Sequence, residues 1–195
     1  MYNQIGDGIC IDVGVYVLRG MPIHKGHMKT IERMCLSHAG MCLVALGSAN
    51  SPISLYNPFT YAERREMLRV LYPELKVVPI ADQVSDDDWF NSLMDIVEAV
   101  FPLFKRVNLY CGSPQDVEKF NHEGKVILRL VDRSEQPHLN ATDIRNYLFQ
   151  HYLSNGHAAE AIDHLSEDLI DVRILPMVME SFNLSLEKIL KRKTK

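Results

Sequence analysis

The sequence predicts an α/β fold: a Rossmann-like open parallel sheet of five strands, helices on both faces, and a C-terminal helical extension. Three observations predict it. Five short runs, at 13–18, 42–47, 75–81, 106–112 and 125–130, are almost continuously apolar rather than alternating, as parallel strands covered on both faces require. Helical spacing fills the gaps between them, and alternating strands and helices form a parallel sheet with right-handed crossovers. The 195 residues suffice for one well-buried core, and 47% are apolar.

In chain order, "VGVYVL" is the first strand, and Met28, Ile31 and Cys35 mark the buried face of the helix after it. "CLVALG" is the second strand and "LKVVPIA" the third. Phe90, Leu93, Met94 and Val97 recur at i, i+3, i+4 and i+7, which predicts a helix between "LKVVPIA" and the fourth strand, "RVNLYCG". "KVILRL" is the fifth strand, and Ile144, Tyr147, Leu148 and His151 repeat the helical period. Beyond residue 155 the pattern is helical only. Leu175, Val178, Met179 and Phe182 form an amphipathic stripe, with Pro176 tolerated in the first turn. The expected organisation is residues 1–154 as one domain and 155–195 as a helical extension packed on it.

The net charge of −4 argues against a general nucleic-acid binder, and the "KRKTK" tail reads as a frayed end. No apolar run is long enough to span a bilayer, and the N-terminus has no signal-peptide pattern. Four cysteines without CxxC spacing predict buried reduced thiols and a cytoplasmic or similarly reducing compartment.

In an open parallel sheet, ligands bind beyond the carboxyl ends of the strands. The first strand exits into "RGMPIHKGHMKTIERM", with two histidines three residues apart at a helix start. A helix N-terminus offers unpaired N–H donors and about half a positive charge, which attracts phosphate. His24 and His27 add two donors there, Gly26 admits close approach, and Pro22 stiffens the loop. The rival reading is a metal pair, but no third ligand stands at a recognisable spacing, and no metal site is expected.

"PIHKGH" after a strand resembles the HxGH motif of the nucleotidyltransferase superfamily. In the same order along the chain, "LGSANSP", "NPFTYAERREML", "PIADQVSDDDW" and "LNATDIR" are similar to the archaeal-type nicotinamide mononucleotide (NMN) adenylyltransferases, over about residues 12–150. The resemblance implies transfer of AMP from ATP to NMN, giving NAD and pyrophosphate, with Mg²⁺ accompanying ATP. His24, His27 and Arg145 are then the catalytic set. ATP falls to Arg19, Gly47, Ser48, Gly112, Ser113 and Thr142, and NMN to Asn57, Arg64, Asp82 and Trp89. Trp89, the single tryptophan, would stack on the nicotinamide, unless it is simply a core residue of the helix it begins. Thr142 is equally a candidate N-cap, and Asn57–Pro58 a turn before a helix. Alternatives are another HxGH transferase, acting on pantetheine phosphate, FMN or a CTP-dependent substrate, and a non-catalytic nucleotide-binding protein.

The chain departs from the family pattern at Leu18 and Gly20, where a glycine and an aromatic are usual, and at Asn140 and Ala141, where serines are usual. The C-terminal stripe covers the core or pairs with a second copy, since family members are often oligomers.

Overall fold

Successive side chains of a strand point to opposite faces, and the first strand uses both. Val13 and Val15 are wholly buried on one side, Tyr16 and Leu18 almost wholly on the other. This central position explains why the run is continuously apolar. The computed structural model describes residues 11–112, 125–131, 140–158 and 169–193.

Five strands are present there: β1 (Ile11–Leu18), β2 (Cys42–Leu46), β3 (Lys76–Pro79), β4 (Phe104–Cys111) and β5 (Val126–Leu130). They form one parallel sheet in the order β3-β2-β1-β4-β5. Leu18 pairs with Leu46 on one side of β1, and Tyr16 with Tyr110 on the other. Strand order reverses between β1 and β4, so the crevice for a ligand opens beyond their carboxyl ends.

The helices among the described residues are α1 (Lys25–Ser37), α2 (Tyr61–Leu71), α3 (Asp86–Val100), α4 (Ala141–Asn155) and α5 (Leu175–Lys193). Side chains of α1, α2, α4 and α5 share one core with Tyr16, Leu18, Val44 and Leu46. On the opposite face, α3 places Phe90, Leu93 and Val97 against Val13, Val15, Leu43 and Leu109. The C-terminal stripe therefore covers the chain's own core: Leu175, Val178, Met179, Phe182 and Leu186 are buried beside Ile31, Phe59 and Met67.

Short polar signals set where the helices begin. Thr60 Oγ1 accepts the Glu63 N–H at 3.3 Å while Glu63 Oε2 accepts the Thr60 N–H at 2.7 Å, a reciprocal capping box that starts α2. Ser85 Oγ accepts the Asp88 N–H at 3.1 Å and starts α3. At α4 the cap is Asn140, whose Oδ1 accepts the Thr142 N–H at 2.8 Å, so the reading of Thr142 as an N-cap is corrected. Asparagine and threonine both serve as caps, and here the cap lies two residues before Thr142.

Gly20 explains one departure from the family pattern. It has φ +60°, a left-handed conformation that strains an aromatic, and a Cβ there would push on Ile23 Cδ1, 2.4 Å away. Leu18, for its part, is a core residue of the sheet face under α1.

Candidate active site

His24 is the N-cap of α1, 6% exposed, and His27 lies in the first turn. The two rings stack, with centroids 3.6 Å apart and planes at 26°. The His24 N–H donates to His27 Nδ1 at 3.3 Å, so the proton of a neutral His27 ring resides on Nε2. Both imidazoles therefore belong to the donor-rich end of α1, beside a Met21–Pro22 peptide that is cis.

One cation reaches this loop from a distant segment, and another opens it. Arg145, one turn into α4, donates to the Met21 carbonyl at 2.6 Å and to Thr142 Oγ1 at 3.0 Å. Arg19, exposed at the end of β1, donates to Asn57 Oδ1. Burial, and then the like charge of Arg19, hold the Arg145 guanidinium below its ordinary pKa.

Arg64 has a different place from the one expected. It is 1% exposed, and its guanidinium donates to the carbonyls of Arg19 at 2.5 Å, Gly47 at 2.8 Å, Ser48 at 3.4 Å and Thr60 at 3.2 Å. A side chain so engaged ties the ends of β1 and β2 to the start of α2. Burial first, and then the charge of Arg19, bring its pKa down to about 10. The physical reason is that parallel strand ends leave carbonyls without ladder partners, and a five-donor planar cation satisfies several at once.

Asp82 performs a similar task on the rim. It accepts from Ser48 Oγ at 3.1 Å and Ser51 Oγ at 2.8 Å, and its N–H donates to Asn50 Oδ1 at 2.9 Å. It thereby joins the loop after β2 to the segment after β3. Ser48 has φ +52°, a left-handed conformation costing about 1–3 kcal/mol, held by these contacts.

Asp82 also lines a cleft of about 330 Å³ with Trp89, Asp86, Ser85, Val17 and Gly112. The walls come from β1, β4 and the start of α3, so the cleft lies at the reversal of strand order. Trp89 is half-buried, serving both the α3 core and the cleft wall. Of the expected ATP residues, Gly47 and Ser48 sit at the end of β2 and Gly112 on the cleft; Ser113 lies outside the described residues. The sequence reading missed Ser85, Gln83 and Val17 on the cleft wall. The serine three residues before Asp88 is a capping signal that would have marked Ser85.

Among the described residues, no group of three His, Cys, Asp or Glu is placed to hold a metal ion. None of their helices is long and apolar enough to cross a membrane.

A model of the cytidylyltransferase-like family matches residues 22–95, which include the imidazole pair, "NPFT" and Trp89. The nicotinamide-nucleotide adenylyltransferase of Thermococcus sibiricus is 34% identical over 144 residues, covering 70% of this chain and 73% of that protein. The chain belongs to the nicotinamide-nucleotide adenylyltransferase family. Another family member, from Pyrococcus abyssi, is 32% identical over 139 residues, covering 68% of this chain and 70% of its own length. The fold agrees. A Francisella tularensis bifunctional NMN adenylyltransferase/ADP ribose pyrophosphatase, crystallised with AMP and a manganese ion, superposes with a TM-score of 0.61 at 16% identity. That match covers 94% of this chain and 55% of the larger protein.

Proposed function

We propose that this chain is an NMN adenylyltransferase, joining NMN to the AMP part of ATP to give NAD and pyrophosphate. The observation that carries the reading is that Arg145, from α4, meets the loop that opens with Arg19 and ends in the stacked His24 and His27. A cation such as Arg145, which burial and the like charge of Arg19 disfavour, makes sense where an anion of high charge binds.

A phosphate oxygen of NMN attacks the α-phosphorus of ATP, the bond from that phosphorus to the bridging oxygen breaks, and pyrophosphate leaves. The protein's part is positioning and stabilisation of the spreading negative charge. His24, His27 and the N–H groups opening α1 meet the phosphates from one side. Arg145 and Thr142 meet the β- and γ-phosphates from the other, and Arg19 lies along the triphosphate. Mg²⁺ enters with ATP as part of the substrate. The donors around the imidazoles are cationic or neutral and suit phosphate oxygens, so phosphates and water carry the ion.

Trp89 takes the nicotinamide ring on the cleft wall, with Asp82 at its edge and Asn57 toward the NMN phosphate. Arg64 supports that end by holding the backbone beneath it. Gly112 faces the adenine, and Gly47 with Ser48 complete the rim. The ligands are small molecules, with no nucleic acid, in agreement with the chain's net negative charge. Cys35, Cys42 and Cys111 are free thiols, which supports a reducing compartment such as the cytoplasm.

Incubation with ATP, Mg²⁺ and NMN, followed by chromatography, is the deciding assay. Formation of NAD and pyrophosphate in equal amounts is expected. No product at high enzyme concentration would reject the reading, and a panel of phosphorylated acceptors would locate the true one.

A further inference from the structure

The last helix does more than complete the core. Ser185, on α5, is 2% exposed, and its hydroxyl donates to the Pro58 carbonyl at 2.6 Å. One turn earlier, Phe182 packs on Phe59 with ring centroids 6.2 Å apart. These contacts hold a four-residue segment whose other members all reach the site. Asn57 Oδ1 accepts from the Arg19 guanidinium, and the Thr60 carbonyl accepts from Arg64 Nε at 3.2 Å. Asn57 is further held by its N–H, which donates to the Ser54 carbonyl at 3.1 Å.

Arg19 needs such a hold. It is an exposed side chain at the end of β1, and its charge opposes those of both Arg64 and Arg145. Left alone, it would swing outward into water, where charge repulsion and rotamer freedom both favour it. The Asn57 amide oxygen opposes that swing, and Asn57 is anchored through the buried Pro58 carbonyl. Removing the serine hydroxyl would leave that carbonyl buried without its donor, and the segment would shift to recover one.

We propose that Ser185 is a positioning residue of the site: acting through Pro58, it fixes Asn57, and Asn57 aims Arg19 at the phosphates of ATP. The proposal rests on the reading of this loop as an ATP site. The C-terminal helix is thus part of the binding machinery, although Ser185 lies 127 residues further along the chain than the Pro58 it holds.

The test uses the whole chain and MgATP, with dissociation constants from calorimetry. Ser185→Ala should weaken ATP about tenfold, since small displacements of a positioned charge are costly. In an Arg19→Ala background the same change should weaken ATP less than about twofold further, because the two residues act in series. Val97→Ala, in the core on the opposite face of the sheet, supplies a control with lowered melting temperature and unchanged ATP affinity. Equal effects of Ser185→Ala with and without Arg19 would overturn the proposal. So would wild-type ATP affinity in Ser185→Ala, or equal ATP losses in Ser185→Ala and Val97→Ala. NAD formation from NMN by the wild type is scored separately: its absence would reject the proposed reaction while the ATP constants still decide the role of Ser185.

Discussion

His24 and His27 stack face to face, centroids 3.6 Å apart, with the His24 N–H on His27 Nδ1. The pair acts as one unit: the backbone of the first ring orients the second. Bringing positive charge to both rings at this distance is unfavourable unless an anion shares it. On the proposed function, that anion is the charge that grows during phosphoryl transfer. We expect His27→Ala to lower kcat by about 10²–10³ while KM for ATP changes much less, since such donors act mainly on the transition state. Steady-state kinetics decides it, and near-full turnover in the variant would refute the phosphate assignment.

Arg64 predicts a stability effect rather than a simple loss of binding. Arg64→Met would strand the carbonyls of Arg19 and Gly47 just beyond β1 and β2, and leave those of Ser48 and Thr60 with only their backbone donors. The cost should be about 3 kcal/mol or more, measurable by denaturant unfolding. Arg64→Lys should recover only part of it, because an ammonium cannot span the same fork of acceptors.

Gly20 is required by its backbone and by its neighbour. With φ +60° and Ile23 Cδ1 only 2.4 Å from where a Cβ would stand, Gly20→Ala should cost about 1–3 kcal/mol. Calorimetric melting would show it. A variant as stable as the wild type would mean that the loop adopts another conformation.

His38 gives the protein an acid-sensitive contact. Its Nε2 meets Tyr110 OH at 3.2 Å, and burial is the main reason its pKa lies below the ordinary 6.5; Asp12 pulls it upward and Arg129 downward. With the folded value depressed, the unfolded chain binds more protons in the window just below pH 6.5. Stability from this group is therefore complete above that pH and declines as pH falls through the folded value. His38→Gln should reduce the difference in melting temperature between pH 7.5 and pH 5. An unchanged difference would show that other groups control it.

Trp89 provides an intrinsic probe, because it is the single tryptophan and lines the cleft. Adding NMN or NAD should quench its emission. Trp89→Ala should raise KM for NMN about tenfold, with a smaller effect on ATP. Fluorescence indifferent to both ligands would remove the stacking role.

Much of the frame was legible from local pattern. The runs at 13–18 and 42–47 are continuously apolar because β1 and β2 are covered on both faces, and the edge strands β3 and β5 are correspondingly more exposed. The period of Phe90, Leu93 and Val97 reports the single face that α3 buries. His24 and His27 could be placed at a helix start because capping is a matter of a few adjacent residues. Thr142 shows the limit of that logic, since Asn140 competes for the same task and only backbone geometry chooses between them.

By itself, the sequence determined the alternation of strands and helices, the phosphate-type loop after β1, and the residue types of the site. Those follow from hydrophobic period, capping chemistry and motif order, which are local properties of the chain. Tertiary structure alone decided that the Arg64 guanidinium is buried among backbone carbonyls, and that Arg145 reaches back 124 positions to Met21. It also decided that Ser185 reaches Pro58. The reason is physical: these side chains satisfy acceptors that become unpaired and buried only when distant segments meet. A long polar side chain reads the same in sequence whether its partner is a carbonyl or a phosphate.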